Sequence, residues 1–380
     1  MRSEQLVFKE IGGWQISDAV PDCRNAGLVF MFGSRKLLSE SEHIAYVRNR
    51  YPVAEIVGCS TSGEICREEV LNSSIVCTAV QFDKTSVRVV EEQIANAGES
   101  FTIGQKLASK LDINDLIHVM ILSEGLNING SELTNGLSSV LGERIQVTGG
   151  LAGDAADFNE TVLVHNRSGS KNLVIAIGFY GGNIKIGYGS MGGWDSFGVD
   201  RLVTRSKANV LYELDGQPAL ELYKKYLGDH AAELPASALL FPLSLRSVDS
   251  DVILVRTILS VSDKDGSMTF AGDIPEGDYV RLMKSSFEKL VGGALGAAEL
   301  SGVSLGDSDP DLAILISCVG RKLVLKQRVE EEVEVVRDVL GKRTTITGFY
   351  SYGEICPGHP FGQRCELHNQ TMTITLFKEY

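Results

Sequence analysis

VGCSTSGEI (Val57 to Ile65), VTGGLAGDA (Val147 to Ala155) and TGFYSYGEI (Thr347 to Ile355) are three copies of one short loop. Each sets a glycine before an acid at the same register: Gly63-Glu64, Gly153-Asp154 and Gly353-Glu354. The flanks repeat as well. An apolar run opens each unit, namely LVFMF (Leu28 to Phe32), LIHVMIL (Leu116 to Leu122) and LAILIS (Leu312 to Ser317). Another closes it: SIVCTAVQF (Ser74 to Phe82), LVIAIGF (Leu173 to Phe179) and TMTITLF (Thr371 to Phe377). A repeat of this kind decides architecture before any local propensity does.

Helical stripes fill the gap between opening run and loop, with Leu133, Leu137 and Leu141 on one face in unit two and Val329, Val333, Val336 and Leu340 in unit three. In unit one the helix opens on a capping box, Ser39-x-x-Glu42, ahead of Ile44 and Val47. A second stripe precedes units two and three: Ile103, Leu107 and Leu111, then Phe287, Leu290, Ala294 and Leu295. Continuous apolar opening runs suit strands covered on both faces, and the β-branched closing runs read as further strands. The spacing predicts an α/β fold with mixed sheets, built from three strand-helix-strand-loop-strand units. Two units fall in residues 25–195 and the third ends the chain. Between them lies a β-rich insertion, with a strand around Leu202 to Ala208 and an Asp215-Gly216 turn into a helix. Strands around Leu239 to Leu245 and Val252 to Val261 follow, and DKDG (Asp263 to Gly266) closes a hairpin with Met268 to Phe270. The main boundary is expected near residue 195, in MGGWDSFG (Met191 to Gly198), giving domains 25–195 and 196–380.

A formal charge of -13 argues against a general nucleic-acid or anionic-membrane surface, and no local basic block offsets it. No apolar run reaches membrane-spanning length and the amino terminus lacks a signal core, so neither membrane insertion nor export is expected. Seven cysteines, with Cys77 and Cys318 inside apolar strand patterns, suggest reduced thiols in a cytoplasm.

The loops carry the candidate chemistry. Gly58, Cys59, Ser60, Thr61, Ser62, Gly63 and Glu64 combine small residues with hydroxyls and an acid. Main-chain N–H groups in such a bend can hold an anion, and Glu64 can take an ammonium, which suits an amino-acid-like zwitterion. Gly150, Gly153 and Asp154 form a barer version, while Phe349, Tyr350, Ser351, Tyr352, Gly353 and Glu354 bring aromatic surface to the third. The competing expectation is architectural: all three acids cap turns and hold the repeat together. Cys66 and Cys356 both follow Glu-Ile, and Cys356, His359 and Cys365 lie in CPGHPFGQRC, a possible though irregularly spaced metal set; exposed loop thiols are the commoner outcome. A hydrolase would use Cys59 or Ser60 as nucleophile, but no nucleophile elbow or nucleotide fingerprint supports one, so the chain is read as not an enzyme.

The loop GCSTSGEI, the segment YELDGQPALELYKKYLG, the hairpin DGSMTFAGDIPEG and the terminal GFYSYGEICP together resemble the FIST sensory proteins, over nearly the whole chain. That resemblance implies a FIST N-type domain at 25–195, a FIST C-type domain at 196–380, and a cytoplasmic signal-transduction input that binds a small ligand. It implies output through a separate partner, such as a histidine kinase of a bacterial two-component system or a cyclic-di-GMP enzyme. A homodimer is compatible with this role. Some family members are haem proteins that sense nitric oxide, which makes haem a possible cofactor by resemblance alone. An axial ligand would have to come from the histidines or cysteines. His165, after an apolar strand, joins Cys356, His359 and Cys365 as a candidate. His118 reads as a buried core residue, His43 as solvated, and His230 as an exposed helix-end residue, while His368 flanks the third loop.

Overall fold

The computed structural model describes residues 1–16, 23–247, 253–306, 308–358 and 365–380. Its strands form three six-stranded sheets and one larger sheet. The opening runs become Leu28–Gly33, Leu116–Ser123 and Leu312–Cys318, and the strands leading into the loops become Glu55–Ser60, Gln146–Leu151 and Thr345–Ser351. Each such pair is parallel. Each closing strand, Ser74–Gln81, Leu173–Tyr180 or Met372–Glu379, lies antiparallel on the other side of its opening strand. Beyond each closing strand the sheet ends: in sheets two and three on the edge strands Ser86–Gln93 and Ile184–Met191, and in sheet one on Arg2–Lys9 followed by the edge strand Gly13–Ile16.

The far end of each sheet is filled from another unit, by two strands in sheets two and three and by one in sheet one. After loop one, Glu64–Cys66 and Glu69–Leu71 join the sheet of unit three. After loop three, Gly353–Pro357 and Cys365–His368 join the sheet of unit two. After loop two, Leu163–His165 joins the sheet of unit one. The exchange is cyclic, so the three sheets close into a ring and each loop marks a crossing point between neighbours.

Packing follows from that closure. The inner faces of all three sheets meet in one core containing Phe30, Phe32, Ile177, Phe179, Ile316, Phe349 and Phe377. Phe32 touches Phe349 at 4.7 Å between ring centroids, and Phe179 touches Phe377 at 5.0 Å, each contact crossing from one sheet to another. Every such side chain stabilises by about 1.5–3 kcal/mol on burial, which is why the strands read as unbroken apolar runs. The predicted helices cover the outer faces: Ser100–Lys110 and Gly130–Leu141 on sheet two, Phe287–Gly302 and Glu331–Leu340 on sheet three, Ser41–Arg50 on sheet one.

The insertion begins at the long strand Trp194–Lys207 and has its own core around Leu211, Tyr223, Met268, Phe270 and Leu282. The predicted hairpin forms between Ile258–Ser262 and Ser267–Phe270, and Asp215-Gly216 turns the chain toward the helix Ala219–Leu227.

Two local expectations are corrected. The capping box does not form: Ser39 ends a preceding short helix, Arg35–Ser39, and its Oγ donates to the Arg35 carbonyl, while Glu40 stands at the N-cap of Ser41–Arg50 without a side-chain cap. His43 is buried rather than solvated, 2% exposed, because the amino-terminal hairpin lays Phe8 and Trp14 against it.

Candidate functional site

The three loops meet and bond to one another. Ser60 O accepts from Gly153 N and Thr61 O from Ala155 N, joining loops one and two. Ser62 N donates to Tyr350 O while Tyr350 N donates to Gly63 O, joining loops one and three. Tyr352 N donates to Leu151 O at 3.3 Å, and the Tyr352 hydroxyl donates to Asp154, joining loops three and two. This ring uses up the donors that a free anion-binding bend would offer: the N–H groups of Ser60, Ser62 and Gly63 go to Val162 O, Tyr350 O and Thr61 Oγ1. Glycine is required where the loops touch. A Cβ on Gly153 would stand 2.4 Å from Ser62 Oγ, and one on Gly63, at φ 139°, would stand 2.2 Å from Lys322 Nζ.

Two of the acids act identically. Glu64 accepts from Thr61 Oγ1 at 2.5 Å and from Ser74 N and Oγ at 3.3 and 2.6 Å. Glu354 accepts from Ser351 Oγ at 2.6 Å and from Thr371 N and Oγ1 at 3.1 and 3.0 Å. In both cases a hydroxyl three residues earlier and the first turn into the closing strand are tied to one carboxyl. Burial pushes Glu64 up to about 7 and Glu354 up to about 8, against the pull of those donors. Asp154 does something else: its Oδ2 accepts from Asn159 N and Glu160 N at 2.9 and 2.8 Å, capping a turn. With its oxygens occupied in this way, Glu64 meets an ammonium only by releasing Thr61 or Ser74.

A cavity of about 640 Å³ opens beside this junction. Thr61, Ser62, Gly63 and Glu64 line one wall, Asp154 to Asp157 another, and Val319, Lys322 and Leu323 a third. The third loop lies behind that wall rather than in it: Phe349, Tyr350, Ser351, Tyr352 and Glu354 are buried, at most 1% exposed. Lys322 is the side chain that the loop reading missed. Its Nζ donates to Ser62 O at 2.6 Å and Asn72 Oδ1 at 2.5 Å and lies 5.4 Å from the centre of the Tyr350 ring. Among the described residues no carboxylate pairs with it within 4.0 Å, and burial lowers its pKa. Arg35 and Lys36 reach the same cavity. The signal was present in sequence, because Arg-Lys-Leu follows the opening run in both unit one (Arg35 to Leu37) and unit three (Arg321 to Leu323).

The other candidates are dispersed. Gly58 and Gly150 lie within paired strands, where an added Cβ would meet Met31 O at 1.8 Å and Ile316 Cγ2 at 2.7 Å; Gly353 packs against Leu151. Cys59 is fully buried with its thiol pushed well up by desolvation, and Ser60 Oγ accepts from Val162 N, so neither is poised as a nucleophile. Cys66, Cys356 and Cys365 are buried free thiols on strands, which corrects the expectation of exposed loop thiols. His165 stands in another sheet, with Nδ1 2.6 Å from Glu91 and Nε2 3.2 Å from Glu55. His359 lies outside the described residues. His118 is buried against Thr148, as expected, and burial draws it down to about 3; His368, drawn down to about 4, bonds the Cys356 carbonyl. His230 is exposed, as read from the sequence. Among the described residues no His, Cys, Met or Tyr lines the cavity beside the loops. Its donor set of Lys, Arg, Ser, Thr and carboxylates does not fit haem iron.

A family model described as the FIST N domain matches residues 27–217, and one described as the FIST C domain matches residues 219–357. An uncharacterized protein of Methanocaldococcus jannaschii is 24% identical over 357 residues, covering 81% of this chain; the chain spans 65% of that relative's length. Among solved structures, a cyanuric acid hydrolase from A. caulinodans covers 93% of this chain and 90% of its own at 8% identity and a TM-score of 0.37. A second cyanuric acid hydrolase structure covers all of both chains at 10% identity and a TM-score of 0.33. No helix among the described residues is long and apolar enough to cross a membrane. With both of its halves matched, in order and almost without a gap, the chain belongs to the FIST family of sensory domains.

Proposed function

We propose that this protein is a cofactor-free ligand-binding input module, whose ligand is a small anionic or zwitterionic metabolite seated in the cavity beside loops one and two. The observation that carries this reading is Lys322. A half-buried ammonium that donates only to a carbonyl and an amide oxygen, with Glu64 acting on it from beyond ion-pair distance, is short of the close counter-charge that would compensate its desolvation. A ligand carboxylate supplies it, with Arg35 and Lys36 at the rim and Asp157 opposite for any ammonium group. Binding rather than catalysis follows from the same wall, since Cys59 and Ser60 are buried in the sheet behind it.

Transmission follows from the crossings. Loop one carries the chain into sheet three and loop two into sheet one, so a guest that draws them together favours one arrangement of the ring. A separate signalling protein, a histidine kinase or a cyclic-di-GMP enzyme, reads that arrangement in the cytoplasm. Thermal-shift measurements against small carboxylates and amino acids test the ligand class. A shift that persists undiminished in Lys322→Met places the ligand elsewhere. An absorption spectrum after haem reconstitution is expected to show no Soret band, and a stoichiometric one overturns the cofactor-free reading.

A further inference from the structure

The strand Thr345–Ser351 runs into loop three at its carboxyl end, and at its other end lies a groove of about 870 Å³. The groove follows the seam between sheets one and three. There Ser3 Oγ and Thr345 Oγ1 bond at 2.7 Å, Gln5 Nε2 donates to Ile346 O at 2.9 Å, and Arg67 N donates to the same carbonyl at 3.0 Å. Four stretches far apart in sequence bring cations to it: Arg2, Arg67, Arg337, and Lys342 with Arg343. Arg337 Nη1 donates to Gly341 O and Thr344 O at 2.9 and 2.6 Å, which fixes the connection that bears Lys342 and Arg343.

Part of this charge is compensated. Arg337 Nε lies 3.0 Å from Glu68, Arg343 pairs with Asp309, and Asp311 is taken up by Lys378 at 2.9 Å. Arg2, Arg67 and Lys342 are exposed and, among the described residues, have no carboxylate within 4.0 Å. Against these three cations stands Glu69. Burial lowers the Arg337 pKa, Glu68 holds it up, and Arg67 presses it down further, which makes the two guanidinium groups electrostatic neighbours. Arg67 also holds φ 59°, a left-handed backbone in which glycine or asparagine is the easier residue. Exposed charge pairs are each weak, so an anionic partner must meet several of these cations at once. On a chain of net charge -13, a long polyanion or an anionic membrane is repelled by the surface around the groove. A short acidic segment escapes that repulsion, because charges beyond about 10 Å are screened at 0.1 M salt.

We infer that this groove docks an extended acidic peptide segment of the signalling partner, whose carboxylates meet Arg2, Arg67 and Lys342. Its place suits an output surface. The strand Glu64–Cys66 begins with Glu64 in the wall of the first cavity and delivers Arg67 to the groove, about 10 Å further on at the rise of a strand. The output role rests on the proposed function, whereas the docking is measured on ligand-free protein and stands or falls without it.

The test is fluorescence anisotropy on the full chain with a labelled peptide of alternating Glu and Ser, about ten residues long so that it spans the groove when extended. Saturable binding is expected, absent for the same peptide with Gln in place of Glu. It should weaken on the order of 10-fold as salt rises from about 0.05 to 0.5 M. Arg67→Asn suits the left-handed turn, so it removes the charge without unfolding the hairpin. Combined with Lys342→Gln it is expected to weaken binding on the order of 10-fold. Lys106→Gln, on the helix Ser100–Lys110, leaves binding unchanged. No binding, equal binding of the Gln peptide, indifference to the double variant, loss in Lys106→Gln, or displacement by equimolar inorganic phosphate each overturns the assignment. Once docking is measured, a cavity ligand found by thermal shift that leaves the peptide affinity unchanged overturns the output role alone.

Discussion

Loops one and three are built alike and loop two is not, although all three carry the same glycine-acid step. In loops one and three a glutamate reaches into the protein and collects a hydroxyl from its own bend, Thr61 or Ser351, together with a residue at the start of the closing strand, Ser74 or Thr371 just before Met372. In loop two the acid is one methylene shorter, and the position three before it is Leu151, which has no hydroxyl to give. Asp154 turns instead to the N–H groups of Asn159 and Glu160 and to the Tyr352 hydroxyl. Glutamate at this position is therefore a clamp between two strands of the ring, whereas aspartate shapes the local chain. The cavity opens on the side of loop two, where the clamp is missing and Asp154 to Asp157 form its wall.

The largest effect that would break this comparison lies one step before the loops. Gly58, Gly149 and Gly348 each press against a carbonyl of their own opening strand, with an added Cβ at 1.8, 2.0 and 1.8 Å from Met31 O, Ile121 O and Leu315 O. Backbone cannot move aside as a side-chain tip can. Gly58→Ala and Gly348→Ala are each expected to destabilise by about 3 kcal/mol or more, or to prevent folding, as overpacked buried positions do. Gly153→Ala meets chiefly the Ser62 hydroxyl, which can rotate, with backbone no nearer than Ser62 N at 3.0 Å, and is expected to cost about 1–2 kcal/mol. Chemical denaturation of the three variants checks the order. A Gly58→Ala protein as stable as wild type would show that the ring has slack where its strands appear locked.

How much of this was legible depends on what an apolar pattern can say. Continuous runs such as LAILIS and LVIAIGF announce strands buried on both faces, and the helical stripes announce which side of a helix is covered; both were realised. The pattern does not name the partner. Glu64–Cys66 is three residues long and reads as the continuation of its own loop, yet it pairs with Thr347 to Phe349 of unit three. Only the closing of the ring, a long-range property, assigns it there. The same limit hid His43, whose polar neighbours suggested solvent until the hairpin of Phe8 and Trp14 covered it. It also hid Lys322, which is far in sequence from the glycine loop it touches. Of the loop candidates, Thr61, Ser62, Gly63, Glu64 and Asp154 gather at one cavity. Gly58, Cys59, Ser60 and Gly150 lie buried in the strands, and the aromatic residues of loop three support the junction from behind.

The glutamate clamps give an intermediate effect with a defined pH sign. Their folded-state values, about 7 for Glu64 and about 8 for Glu354, lie above the ordinary 4.5. The folded state therefore holds more protons than the unfolded state between these limits, and stability falls as pH rises through that window. Below pH 4.5 the contribution of the two groups is complete; above about 8 it is lost. Glu64→Gln and Glu354→Gln remove the titration, so urea midpoints measured from pH 5 to 9 should fall less steeply in each variant and least in the double mutant. An unchanged slope in the double mutant would mean that both carboxyls titrate normally and that burial does not govern them. Asp154→Asn, which resolves no comparable clamp, serves as the control.

That control carries the smallest expected effect and the sharpest distinction. An asparagine keeps an acceptor oxygen for the Asn159 and Glu160 N–H groups, and its amide nitrogen faces the Tyr352 hydroxyl, which can accept. What is lost is the charge on those bonds, worth about 1 kcal/mol. Asp154→Asn should therefore lower stability by about that amount at neutral pH, whereas the glutamate variants differ from wild type by an amount that changes between pH 5 and 9. If Asp154→Asn instead reproduces the pH dependence of Glu64→Gln, the third acid belongs to the same clamp. The distinction between loop two and its two relatives would then be one of geometry alone.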